Sequence, residues 1–81
     1  MKLHPRIKLL FWIKEKGEVT RKTQPYFVST IGYYLALKYL RDKGLIELSR
    51  TDGNVKYWKL SKKGENLVRL LKKVMEVLND G

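Results

Sequence analysis

The sequence predicts a mainly α-helical α+β domain in which one small antiparallel β-hairpin interrupts a series of helices. Three observations predict it. Tyr33, Ala36, Leu37 and Leu40, and again Leu67, Leu70, Leu71, Val74, Val77 and Leu78, recur at three- and four-residue spacing, the period of a helix with one buried face. Between them, residues 45–60 are rich in β-formers on either side of an Asp52-Gly53-Asn54 turn signal. Finally, 81 residues suffice for one small core, burying roughly 60% of the unfolded surface, so residues 1–81 form a single domain.

Pro5 suits the first turn of a helix, where its missing N–H leaves no intrahelical bond unmade. Arg6 to Lys16 continues that helix, with His4 at its entry and Gly17 just past its end. Ile7, Leu9, Leu10, Phe11, Trp12 and Ile13 wrap over half of the cylinder, so it needs cover on more than one side. A second subunit is the simplest cover, which makes Phe11 and Trp12 candidate dimer contacts. Glu18-Val19 has the length of a very short strand. From Thr20 to Val28 two alternatives stand. Thr20 caps one helical turn through Gln24, or Pro25 opens one through Val28. A helix passing straight through Pro25 is disfavoured, because the ring clashes with the preceding turn.

Ser29 is a good N-cap for a helix over Thr30 to Lys43, which Gly44 ends. Tyr33, Ala36, Leu37 and Leu40 make its core face, flanked by Thr30, Tyr34, Lys38 and Arg41. In the hairpin, a two-residue Asp52-Gly53 turn would pair Leu48 with Tyr57 and mix apolar with charged residues on one face. A three-residue loop, Asp52-Gly53-Asn54, pairs Leu48 with Trp58 and Ile46 with Leu60 instead. That register makes one face apolar at its base and is favoured, since a slip would send the apolar set to solvent. It sets Arg50 opposite Lys56 near the tip, an unfavourable pair unless an anion lies between them. Ser61 caps the last helix, about Lys62 to Asn79. Its apolar stripe, Leu67, Leu70, Leu71, Val74, Val77 and Leu78, exceeds what so small a domain can cover and is expected to dimerise.

Eighteen Lys and Arg against eight Asp and Glu give a net charge of +10. The excess is spread evenly. Residues 1–28 carry seven cations and two anions, 29–60 six and three, and 61–81 five and three. Such a surface is the footprint of a polyanion binder. Other classes are excluded. Cysteine is absent, so no disulfide, thiolate nucleophile or zinc ribbon exists. His4 stands alone, the acids show no metal-ligand spacing, and no glycine-rich phosphate loop occurs, so neither enzyme, metal nor cofactor is expected. The longest apolar run, Leu9 to Ile13, is five residues, far below the ~20 of a membrane helix. A cytoplasmic, nucleoid-associated protein is the expectation.

The stretch Tyr34-Leu35-Ala36-Leu37-Lys38-Tyr39-Leu40-Arg41-Asp42-Lys43-Gly44-Leu45-Ile46, followed by Lys56-Tyr57-Trp58-Lys59-Leu60-Ser61-Lys62-Lys63-Gly64, resembles the recognition helix and wing of small archaeal and bacterial winged helix-turn-helix regulators. These lie in the PadR/MarR/ArsR neighbourhood. The resemblance implies a three-helix core with a wing and a C-terminal helix, and a homodimeric, sequence-specific transcription regulator of double-stranded DNA. It also implies where DNA is held. Ser29, Thr30, Tyr34, Lys38 and Arg41 would approach the major groove. Arg50, Thr51, Asn54 and Lys56 on the wing would reach backbone or minor groove. Arg21, Lys22, Thr23 and Gln24 would hold phosphates ahead of the recognition helix. The chain departs from the pattern where Pro25 falls in place of the second helix, and no small-molecule effector pocket is recognisable. Thirteen lysines against five arginines favour point-charge phosphate contacts over bidentate base forks. A non-specific architectural DNA binder is therefore one alternative. A winged-helix protein-interaction subunit of a larger complex is another.

Overall fold

The computed structural model describes residues 4–79, which form three helices and one two-stranded antiparallel sheet. In chain order these are α1 (Pro5–Lys16), α2 (Thr30–Asp42), β1 (Ile46–Asp52), β2 (Val55–Leu60) and α3 (Lys62–Asn79). The core gathers one face of each element, with Leu9, Ile13, Val19, Tyr33, Leu40 and Val68 the most deeply buried.

Local chemistry fixes the helix ends. His4 caps α1 by accepting the Arg6 N–H on Nδ1 at 3.1 Å. At the other end the Gly17 N–H donates to the Ile13 carbonyl at 2.8 Å from a φ of +86°, a conformation that costs glycine little. Ser29 caps α2 by accepting the Gly32 N–H at 3.0 Å. Beyond α2, the Gly44 N–H bonds to the Arg41 carbonyl at 2.9 Å and the Leu45 N–H to the Leu40 carbonyl at 2.8 Å. That pair of bonds is a Schellman motif, and it turns the chain directly into β1.

The start of α3 is locked onto that same turn. The Ser61 hydroxyl donates to the Gly44 carbonyl at 2.6 Å and accepts the Gly64 N–H at 3.1 Å, while the Ser61 N–H donates to the Leu45 carbonyl at 3.0 Å. Lys63 Nζ reaches the Lys43 carbonyl at 2.7 Å. Gly64 is buried, and a Cβ there would stand 2.1 Å from the Leu45 carbonyl oxygen. Only glycine lets α3 approach so closely.

Two expectations are corrected. No helix forms between Thr20 and Val28, so the three-helix core plus C-terminal helix is reduced to three helices among the described residues. Both candidate turns form singly instead. The Thr23 N–H bonds to the Thr20 carbonyl at 3.1 Å, and the Val28 N–H to the Pro25 carbonyl at 3.5 Å. Pro25 biases Gln24 away from helical backbone, and the Thr20 hydroxyl accepts the Lys22 N–H at 3.1 Å, stabilising a turn in place of a helix.

The hairpin is the second. Its base pairs as expected, Ile46 with Leu60, Glu47 with Lys59 and Leu48 with Trp58. A bulge at Ser49 then shifts the register, so Arg50 lies opposite Tyr57, Thr51 opposite Lys56 and Asp52 opposite Val55. The loop is the two-residue Gly53-Asn54. Gly53 has φ +62° and no non-glycine residue among those described has positive φ, the pattern of a type II′ turn. The bulge reconciles an apolar base with this tight tip by absorbing one residue. Of the very short strand expected at Glu18-Val19 only Val19 pairs: it forms an isolated antiparallel bridge with Trp58, through N–H···O bonds of 2.8 and 2.7 Å.

α3 is held to α1 by the Lys14–Glu65 ion pair at 2.5 Å and to the core by Gly64 and Val68. Its apolar residues span an arc of about 180° on a wheel of about 100° per residue. The core covers the Gly64–Val68 side. On the other side Leu70, Val74, Val77 and Leu78 are more than half exposed, and Leu67 and Leu71 lie between the two at half burial.

Candidate nucleic-acid interface

Three separate stretches of chain converge on a groove of about 700 Å³ between α2 and the tip of the hairpin. The turn after Val19 supplies Thr20, Arg21 and Lys22; α2 supplies Thr30, Tyr34, Lys38 and Arg41; the hairpin supplies Asn54, Val55 and Lys56. Tyr33, Leu37 and Trp58 also line it. Five cations border this groove and no acid does. At a net charge of +10, such a concentration of one sign in a concave surface focuses the field toward an anion.

Each position has a local cause. Arg21 and Lys22 are the central residues of the Thr20–Thr23 turn and so project outward, while Thr20 itself is buried. The Tyr33 hydroxyl donates to the Thr20 carbonyl at 2.7 Å, which fixes that turn against α2. Burial pushes the Tyr33 phenol up to about 12, so it remains a neutral donor. Arg21 lies over the Tyr34 ring, 4.7 Å from its centroid, and Arg41 stands 5.8 Å from that of Trp58. These contacts hold two guanidinium planes at the groove walls without neutralising them. Arg41 also stands 3.9 Å from Asp42, a loose pair on the exposed surface.

The groove collects Arg21, Lys22, Thr30, Tyr34, Lys38, Arg41, Asn54 and Lys56 from the expected contact residues, and leaves others out. Ser29 is used as the cap of α2. Thr23 bonds its hydroxyl to that of Thr20 at 3.0 Å. Gln24 donates to the Val28 carbonyl at 2.8 Å and accepts the Thr30 hydroxyl at 2.9 Å; its amide braces the loop. Thr51, across from Lys56, falls outside the lining.

Arg50 is the clearest departure. The Ser49 bulge turns it away from Lys56 and toward Glu18, which accepts from Arg50 Nε at 3.0 Å and from the Ser49 hydroxyl at 2.8 Å. Arg50 also covers the Tyr57 ring at 3.7 Å. The bond from Ser49, and after it that from Arg50, holds the Glu18 carboxyl below its ordinary range, and Glu18 in turn raises Arg50. Arg50 therefore ties the hairpin to the segment before Val19 rather than standing ready for an anion.

The expected dimer residues also divide. Phe11 and Trp12 are half-buried against the protein's own core, with Trp12 edge-on to Tyr33 at 6.1 Å. The surplus apolar surface expected of the first helix is covered from within. Leu70, Val74, Val77 and Leu78 remain exposed.

Val55, Trp58 and Leu37 were not foreseen as groove residues. Their positions on the hairpin and on α2 were legible, but the closeness of the two elements was not. Among the described residues no cluster of three metal-binding side chains occurs, and no helix is long and apolar enough to cross a membrane. Comparison with known protein families and with curated proteins yields no match to this chain.

Proposed function

We propose that the chain is a small winged-helix protein that binds double-stranded DNA, with α2 as recognition helix and the β1–β2 hairpin as wing. One observation carries this: five cations and no acid line the groove between α2 and the hairpin tip. The order of helix, bridge, helix, hairpin and helix supports the winged-helix reading, with two turns standing where a second helix would run. Arg21 and Lys22 on one wall and Lys56 on the other hold phosphates, while Lys38 and Arg41 flank the exposed face of α2, which enters the major groove.

Retardation of duplex DNA across a salt series tests this. Each neutralised phosphate contributes about −0.9 to the slope of log affinity against log salt, so five groove cations give a slope of about −4.5. A flat response overturns the proposal. Selection of bound duplexes from a random pool separates a transcription regulator, which enriches one sequence, from an architectural binder, which enriches none.

The uncovered arc of α3 favours a second copy of the chain as its partner. An isologous pair buries the same stripe on both subunits, taking Leu70, Val74, Val77 and Leu78 of each out of water. The homodimer thus rests on Leu70, Val74, Val77 and Leu78 rather than on α1. Val74→Glu with Val77→Glu yields a monomer by sedimentation. A wild type already monomeric at micromolar concentration refutes the dimer and leaves the stripe for a different protein.

A further inference from the structure

We infer that the outward face of α2 reads the methyl groups of thymine in the major groove, through Ile31 and Leu35. This rests on the DNA-binding role proposed above and adds the chemical class of sequence that the protein prefers.

Ile31 is 73% exposed and Leu35 56%, high values for large aliphatic side chains in the middle of a folded domain. With Tyr39, 37% exposed, they recur every four residues and so form a stripe along one side of the helix. That stripe lies opposite the buried Tyr33, Ala36, Leu37 and Leu40, and none of it is needed for the core. The charges around it are the second observation. On one edge, Lys38 and Arg41 border the groove. On the other, Arg6 from α1 lies over the Tyr39 ring at 4.0 Å, with Lys43 5.6 Å from the same ring. An apolar strip bordered by cations on both sides is poorly suited to a nonpolar protein surface. It is complementary to a major groove, where thymine methyls form an apolar floor between two phosphate strands.

The dimensions agree. One helical turn carries Leu35 about 6 Å beyond Ile31, close to two base-pair steps of about 3.4 Å. Both residues sit in the N-terminal half of α2, the half that a recognition helix directs at base edges. The one acid on this side, Asp42, is paired with Arg41 at 3.9 Å and stands about two turns beyond Leu35. Lysine makes point-charge contacts and discriminates bases weakly. Methyl contacts supply selectivity that the three lysines of this groove, Lys22, Lys38 and Lys56, do not.

The test compares two probes, an alternating adenine–thymine duplex and the same duplex with deoxyuridine in place of every thymidine, which removes only the methyl groups. The wild type binds the thymine duplex about fourfold more tightly for each methyl contact, from the burial value of one methyl group, hence about sixteenfold for two. Ile31→Ala with Leu35→Ala brings the ratio of the two affinities to about one while leaving the salt slope unchanged, since neither residue carries charge. Both side chains are exposed, and circular dichroism checks that the variant is folded. Equal affinity of the wild type for the two duplexes overturns the inference and leaves DNA binding standing. So does a preference that survives in the double variant. Failure to retain either duplex at low salt overturns DNA binding as well, and assigns the stripe to a protein partner.

Discussion

At the C-terminal end of α2, Ser61, Lys63, Gly44 and Gly64 are bonded to or pressed against one another and the neighbouring backbone. Along the groove side of the same helix, Lys38, Arg41 and Tyr34 face open space together with Arg21, Lys22 and Lys56. The residue types overlap, and their uses differ. In the junction a lysine ammonium satisfies the carbonyl of the residue that caps a helix, a hydroxyl makes two bonds at once, and a missing side chain lets two backbones meet. In the groove the cations have no carboxylate among the lining residues. Charge consumed by backbone carbonyls marks a place where the fold is held. Charge of one sign left facing a concavity marks a place where the fold holds something else.

Substitutions sharpen that contrast, and the largest effect belongs to the junction. Gly64→Ala places a Cβ 2.1 Å from the Leu45 carbonyl oxygen, so α3 must shift from the α2–β1 turn. The expected loss is about 3 kcal/mol, at the upper end for overpacking, measured by urea denaturation. A loss below about 0.5 kcal/mol would show that the junction yields easily and would break the comparison.

Tyr33→Phe comes next, because Tyr33 joins the core to the groove. Removing the hydroxyl takes one of two bonds from the Thr20 carbonyl, which keeps that of the Thr23 N–H, and costs about 1.5 kcal/mol at neutral pH, the upper end for a neutral hydrogen bond. The pH dependence has a definite sign. The folded phenol is raised from 10.0 to about 12, so its contribution is complete below pH 10 and is lost as pH rises through about 12. The wild type therefore loses this stability between those two values. Tyr33→Phe lacks that component, and urea midpoints at neutral and alkaline pH for both proteins decide the matter.

Ser61→Ala removes an N-cap and the bond to the Gly44 carbonyl, with an expected loss of about 1–2 kcal/mol. Binding per folded molecule stays unchanged, as a titration of duplex DNA in low salt will show. A selective loss of affinity would mean that the junction takes part in the site.

The smallest stability effects, and the most informative ones, come from two cations of the hairpin. Lys56→Ala leaves the urea midpoint in place and lowers the salt slope of DNA binding by about one unit. Arg50→Ala does the reverse. It frees Glu18 and uncovers Tyr57, lowering the midpoint with little change in slope. That loss shrinks as acid protonates Glu18, whose carboxyl is held below its ordinary range, since the partner charge is then gone in both proteins. Identical behaviour of the two variants would erase the distinction between fold-holding and anion-holding charge on the hairpin.

Much of this molecule follows from short-range rules that act along the chain. Gly17 and Gly44 stop α1 and α2, Ser29 and Ser61 start α2 and α3, and the apolar spacing of α2 and α3 assigns their faces without knowledge of their neighbours. The base of the hairpin was equally legible, because Ile46, Leu48, Trp58 and Leu60 have only one register that sets them together on one face. The tip was not. Whether one residue is absorbed in a loop or in a bulge depends on Glu18, which lies 31 residues before Ser49 and holds the bulged residue and Arg50 together. The segment from Thr20 to Val28 was undecided for the same kind of reason: its local preferences are weak, and the bond from Tyr33 to the Thr20 carbonyl is a tertiary contact. The sequence by itself determined the elements, their ends and the basic surface, since hydrophobic period, capping and net charge are local or additive quantities. Only the tertiary structure decided which cations are consumed and which are left facing a groove, because an ion pair depends on distances that no spacing along the chain encodes.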